Sequence, residues 1–136
     1  MIVVDTGALY AAADTSDAHH GQCAELLNGQ PRPLVVPVSV VIEASYLIEH
    51  RLAPLAEHRF LREIVGDDYQ VEQLTADDVR RMAELVHQYA DLPLGAVDAS
   101  VFAVCERLGA HEVATLDHRH FRVVRPRHIA AFILLP

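Results

Sequence analysis

Short apolar runs alternate along the chain with longer stretches in which apolar residues recur every three or four positions. Ile2-Val3-Val4 stops abruptly at Asp5-Thr6-Gly7, and its β-branched residues favour a buried strand. Residues 8–13 read as a helix, 14–17 as a polar turn, and 18–27 as a second helix closed by Asn28-Gly29. Gln30-Pro31-Arg32-Pro33 reads as a linker, followed by a second strand at Leu34-Val35-Val36. Ser39 is placed to cap a helix running to Arg51, and Pro54 to open another that ends near Gly66. Residues 69–74 alternate weakly, as a strand would. Thr75 and Asp78 have the spacing of a capping box, opening a helix to about Tyr89. Residues 92–96 read as a loop, and 97–108 as a helix with Gly109 in position to end it. Residues 112–116 form a strand ending at Asp117. The apolar runs 122–124 and 129–134 suit short strands or a terminal helical turn.

Strands alternating with helices of ten or more residues predict βαβ units around a parallel sheet. The expected fold is α/β, a three-layer sandwich with a central, mostly parallel sheet flanked by helices. In such sheets a ligand site lies beyond the carboxyl ends of the strands, where strand order reverses. Asp5 and Asp117 each end a predicted strand, so both are expected at that edge.

The length, 136 residues, suits one domain spanning 1–136, and 51% hydrophobic residues exclude disorder. Cys23 and Cys105 are far apart and show no paired motif, which argues for core cysteines rather than a disulfide or zinc framework. The longest apolar run, 34–42, is interrupted by Pro37 and Ser39, and no stretch has the character of a signal peptide. A cytoplasmic protein with no membrane association is the expectation. All 11 positive side chains are arginines. The absence of lysine excludes a phosphate-binding loop with its GK[ST], Schiff-base chemistry, and a phospho-acceptor receiver domain. A net charge of −8 argues against nucleic-acid binding by bulk charge, so any such contact needs metal ions or a local basic patch.

Four acids stand where apolar residues are expected. Asp5 follows Ile-Val-Val, and Asp117 follows Val-Ala-Thr-Leu. Glu43 lies within the stripe Val40, Ala44, Leu47 and Ile48, whereas Glu49 lies off it; Asp98 has Val101, Phe102 and Cys105 at i+3, i+4 and i+7. Each has an ordinary explanation alone: a helix cap for Asp5, a first-turn acid for Asp98, a turn residue for Asp117, and pairing with Arg81 or Arg107 for Glu43. Taken together they point to a shared cation, because a buried carboxylate is costly without one. Oxygen ligands suit Mg²⁺ or Mn²⁺, which also bind substrate phosphates.

His19-His20 and His118/His120 invite a zinc reading, but no HExxH or cysteine partner supports it, and they are read as surface histidines. No serine lies in a GxSxG elbow. Residues 118–128 form the one strongly basic stretch, with Arg119, Arg122, Arg125 and Arg127 and no acid. Either it is a solvated surface strand, or its arginines stand beside the acidic crevice and hold phosphates.

Val3-Val4-Asp5-Thr6-Gly7-Ala8-Leu9, Val41-Ile42-Glu43, Leu94-Gly95-Ala96-Val97-Asp98-Ala99 and Ala114-Thr115-Leu116-Asp117-His118-Arg119-His120-Phe121, in that order, resemble the PIN-domain ribonucleases and specifically the VapC-type toxins. Gly7 stands where relatives more often carry serine. The resemblance implies that Asp5, Glu43, Asp98 and Asp117 bind one or two Mg²⁺ or Mn²⁺ ions and catalyse in-line hydrolysis of RNA phosphodiesters. Thr6 and Thr115 would orient the aspartates, and Arg119 and Arg122 are the candidate substrate contacts. It also implies structured RNA such as tRNA or rRNA loops as substrate, a homodimer, and a VapB-type antitoxin as partner. The alternatives are a housekeeping PIN nuclease without antitoxin, or a non-catalytic binding module of the same fold. An aspartic protease is disfavoured because only four residues precede Asp5; a dehalogenase-type phosphatase needs an aspartate where Gly7 stands and a lysine.

Overall fold

A computed structural model describes residues 1–31 and 33–136; the linker expected at Gln30-Pro31-Arg32-Pro33 includes Arg32, which lies outside them. The described residues form β1 (Ile2–Val4), α1 (Thr6–Ala13), α2 (His20–Gly29), β2 (Leu34–Pro37), α3 (Val38–Arg51) and α4 (Pro54–Ile64). They continue with β3 (Tyr69–Glu72), α5 (Ala76–Gln88), α6 (Ala96–Leu108), β4 (Glu112–Ala114), α7 (His118–Val123) and β5 (Ile133–Leu135). The strands make one sheet in the order β3-β2-β1-β4-β5, with each neighbouring pair parallel.

Val3 pairs with Val35 on one side and Val113 on the other, so β1 is central, and all three valines are buried. A strand covered on both faces must be apolar throughout, which is why its three residues read as a continuous run rather than an alternation. For this strand order, the right-handed rule for parallel crossovers assigns α1–α4 to one face and α5–α7 to the other. The packing agrees: α1 lies against α2 and α3, α3 against α4, and α5 against α6.

The order reverses between β1, from which the chain first runs outward to β3, and β4, to which it returns. The crevice beyond the carboxyl ends of β1 and β4 is therefore the topological switch point of the sheet. Asp5 N donates to Ala114 O at 2.9 Å and extends the pairing to the residue that bears the acid.

Local signals are realised where backbone chemistry dominates. Thr75 and Asp78 close a reciprocal capping box on α5, and Gly109 ends α6 at φ +68°, a left-handed conformation that glycine adopts without a Cβ penalty. One expectation fails. Ser39 caps nothing, because α3 begins one residue earlier behind Pro37; its hydroxyl instead meets that of Ser100 on α6. For the run 122–124, open between a short strand and a helical turn, the helical reading is realised through Val123: α7 is capped by Asp117 and turns Phe121 inward onto Phe102 at a ring separation of 4.6 Å. Cys23 and Cys105 are free and buried in the core, and burial pushes both thiols upward. Among the described residues no helix is long and apolar enough to cross a membrane.

Candidate metal centre

The switch-point crevice opens as a cleft of about 450 Å³ whose lining includes Asp5, Glu43, Asp98 and Asp117. Four separate segments deliver them. Asp5 is the first residue past β1 and the cap of α1; Glu43 projects from the second turn of α3; Asp98 lies in the first turn of α6; Asp117 follows β4 and caps α7. Their burial is graded. Asp5 is only 4% exposed, whereas the side chains of Asp98 and Asp117 are 25% and 36% exposed. The site thus has a deep floor and a wetter rim.

Asp5 is held from two sides. The backbone N–H of Thr6 donates to Oδ1 at 2.8 Å, and the Thr115 hydroxyl donates to Oδ2 at 2.8 Å. Thr115 Oγ1 in turn accepts the backbone N–H of Asp117 at 3.0 Å. Thr6 therefore acts on Asp5 through its main chain, while its own hydroxyl is buried with no hydrogen-bond partner among the described residues. The effect on Asp5 is still net unfavourable to charge: burial, opposed by the Thr115 bond and reinforced by Asp98 and Glu43, pushes its carboxyl up from 3.8 to about 6. Burial also raises Asp98, with Asp117 and Glu43 adding to it and His120 opposing.

The ordinary explanation for Glu43 is removed by the geometry. Arg81 pairs with Glu106 and Glu84, and Arg107 with Asp78 and Glu72, in a network tying α5 to α6 and β3. Among the described residues Glu43 has no ion-pair partner. A cleft with four carboxylates, a floor acid that resists ionisation and an orphaned buried hydroxyl fits a hard divalent cation, whose charge would offset the mutual repulsion.

One residue beside this cleft departs from the sequence expectation. His120, expected as a surface histidine, is half-buried. Its Nδ1 contacts Asp117 Oδ2 and lies 3.6 Å from Asp98 Oδ2, and its backbone N–H donates to Asp117 Oδ1 at 3.2 Å. The signal is present as the spacing Asp117–His120, one helical turn, but using it requires knowing that a helix follows Asp117.

The basic stretch divides. Arg119 and Arg122 are exposed at i and i+3 on α7, one face away from His120. Arg127 turns away from the cleft, bonding Glu84 through its guanidinium and Glu106 through its backbone N–H.

The sequence matches the PIN domain family over residues 2–126. It is 31% identical over 135 residues to ribonuclease VapC26 of Mycobacterium tuberculosis, a match covering 99% of this chain and all of that one. Among solved structures it resembles M. tuberculosis VapC20, described as a toxin that cleaves the sarcin–ricin loop, with TM-score 0.82 and 25% identity over 88% of this chain and 92% of the other. VapBC2 of Rickettsia felis, solved with a DNA fragment from its promoter, shares the fold at TM-score 0.70 and 15% identity, over 98% of this chain and 97% of that one. With a family match over nearly its whole length and a full-length ribonuclease relative, the chain belongs to the PIN-domain family, among its VapC-type ribonucleases.

Proposed function

We propose that this chain is the toxin of a toxin–antitoxin pair, a metal-dependent endoribonuclease whose ligand set is Asp5, Glu43, Asp98 and Asp117 and whose cation is Mg²⁺ or Mn²⁺. The observation that carries this reading is the convergence of four carboxylates from distant segments on one cleft, with none of them paired to an arginine among the described residues. A bound cation supplies positive charge to a phosphate and makes an attacking water more acidic. The protein's part is placement. Thr6 N and Thr115 Oγ1 fix the plane of the Asp5 carboxylate, so its remaining lone pairs face the cleft without reorganising. Asp117 is fixed by its backbone N–H on Thr115 and by His120, while Glu43 and Asp98 enter from two helices that meet near Ser39 and Ser100. Arg119 and Arg122, exposed on α7 directly after Asp117, hold flanking phosphates of the RNA.

Structured RNA loops, of rRNA or tRNA, are the substrate class, by likeness to the relative described as cutting the sarcin–ricin loop. The partners are a VapB-type antitoxin and a second copy of the chain. Ile42 and Tyr46, large and exposed on α3 beside Glu43, support a protein covering that border of the cleft. RNA-end sequencing after brief expression of the isolated chain tests the reading. New ends at a discrete loop, absent with Asp5→Asn, are expected; unchanged RNA in the presence of Mn²⁺ would favour a non-catalytic binding module. Light scattering should give a mass near twice 15.0 kDa.

A further inference from the structure

At the rim of the cleft, beside Asp98 and Asp117, stands a nitrogen donor that the carboxylate set does not include. His120 reaches back from α7 so that one ligand atom each from Asp98, Asp117 and His120 lies within 4.8 Å of the others. On an octahedral ion with ligand bonds of about 2.1 Å, neighbouring ligand atoms stand about 3 Å apart and opposite ones about 4.2 Å. The 3.6 Å between His120 Nδ1 and Asp98 Oδ2 falls within that range, while Nδ1 and Asp117 Oδ2 are in direct contact and must part for one ion to take both. We propose that Asp98, Asp117 and His120 form a mixed nitrogen–oxygen site that binds a first-row transition dication, and that His120 biases the cleft toward such ions and away from Mg²⁺. This rests on the metal-dependent function proposed for the chain and deepens it.

A simple surface pair between Asp117 and His120, three residues apart on one helix, would leave the imidazole in water. Instead the ring turns inward, with its side chain 19% exposed, and faces a second carboxylate on α6. Asp117 is also held at Oδ1 by the backbone N–H of His120 and at its main chain by Thr115, so the imidazole is not its sole anchor. Independently, the Thr6 hydroxyl is buried in the lining of the same cleft with no partner among the described residues, as expected where an ion or its water completes the site. Chemistry sets the selectivity. Mg²⁺ demands oxygen and gives up its waters reluctantly, whereas imidazole nitrogen suits transition ions; coordination through Nδ1 needs the tautomer with its proton on Nε2.

The test is pulsed electron paramagnetic resonance on the full-length chain loaded with Mn²⁺. A hyperfine coupling from directly bound ¹⁴N is expected, replaced by the ¹⁵N pattern when the protein is made with ¹⁵N-histidine and absent in His120→Gln. Calorimetric titration with Mn²⁺ and Mg²⁺ should show the Mn²⁺ preference falling by about tenfold in His120→Gln. Mn²⁺ bound to the unmutated chain with no nitrogen coupling overturns the role of His120 and leaves the carboxylate site standing. Coupling retained in His120→Gln assigns the nitrogen to another histidine and overturns it equally. No Mn²⁺ binding at all overturns the metal-dependent reading together with this one. The labelling arm needs no substitution, so it decides the matter even if the variant fails to fold.

Discussion

Thr115 donates its hydroxyl to Asp5 Oδ2 at 2.8 Å across 110 residues of chain, and the same oxygen accepts the backbone N–H of Asp117 at 3.0 Å. One buried side chain thus links the ends of the two central strands to two of the four carboxylates. It also opposes the burial that raises Asp5, so it tunes the floor acid as well as placing it.

Thr115→Val keeps the shape and removes the donor. Losing a buried bond to a carboxylate costs about 1–3 kcal/mol, measured by denaturant unfolding at neutral pH. Asp5 should then be harder still to ionise, so the pH midpoint for Mn²⁺ binding should move upward. Thr115→Ser, which restores the hydroxyl, should return the midpoint; an unmoved midpoint in the valine variant would show that the bond does not tune Asp5.

The folded-state value of Asp5, about 6, exceeds its ordinary 3.8. Its sign is therefore unfavourable at neutral pH: below pH 3.8 the group is protonated in both states, and as pH rises to about 6 the unfolded chain ionises first and the fold loses on the order of 2–3 kcal/mol. In the absence of metal, Asp5→Asn should be more stable than the unmutated chain at pH 7.5, by about 2 kcal/mol. Its metal-induced rise in melting temperature should nearly vanish. Metal affinity of the unmutated chain should fall as pH drops through about 6, because binding must displace the Asp5 proton.

Neutralising Arg119 and Arg122 together should weaken RNA binding and lower the slope of log affinity against log salt by up to about 2. Metal affinity and stability should stay within about 0.5 kcal/mol of the original, since both side chains are exposed. Asp117→Asn should do the reverse, with RNA still docking but cleavage lost. A double variant that binds RNA with an unchanged salt slope would return this face of α7 to plain solvent.

Asp78 is structural. Burial would raise its carboxyl, but bonds from Arg107 and Thr75 outweigh that and hold it below the ordinary value. The stability it contributes is complete above pH 3.8 and is lost as pH falls through its lowered folded-state value. Asp78→Ala strips a helix cap and leaves Arg107 partly unpaired, and should cost about 3 kcal/mol in thermal or urea unfolding. RNA cleavage at a permissive temperature should survive, because none of these groups lines the cleft.

How much of this could be read along the chain depended on the range of the forces involved. Ile2-Val3-Val4, the Thr75–Asp78 box and the Gly109 stop are local: a buried strand needs three apolar residues, and a cap needs a donor and acceptor three residues apart. The four acids were legible for a related reason, since a carboxylate in an apolar run contradicts its surroundings wherever the chain later goes. Features set by long-range packing were decided by tertiary structure alone. Nothing near Ser39 announces that Ser100 will meet it. Nothing in Arg81 or Arg107 says that Glu106 and Asp78 will claim them, which is what leaves Glu43 unpaired. The basic stretch became α7 because Phe121 had to reach Phe102, and that turn of helix carried His120 onto Asp98 and Asp117 while sending Arg127 to Glu84. Residue chemistry determined which groups could form a site; the return of the chain to β4 beside β1 determined which of them share it.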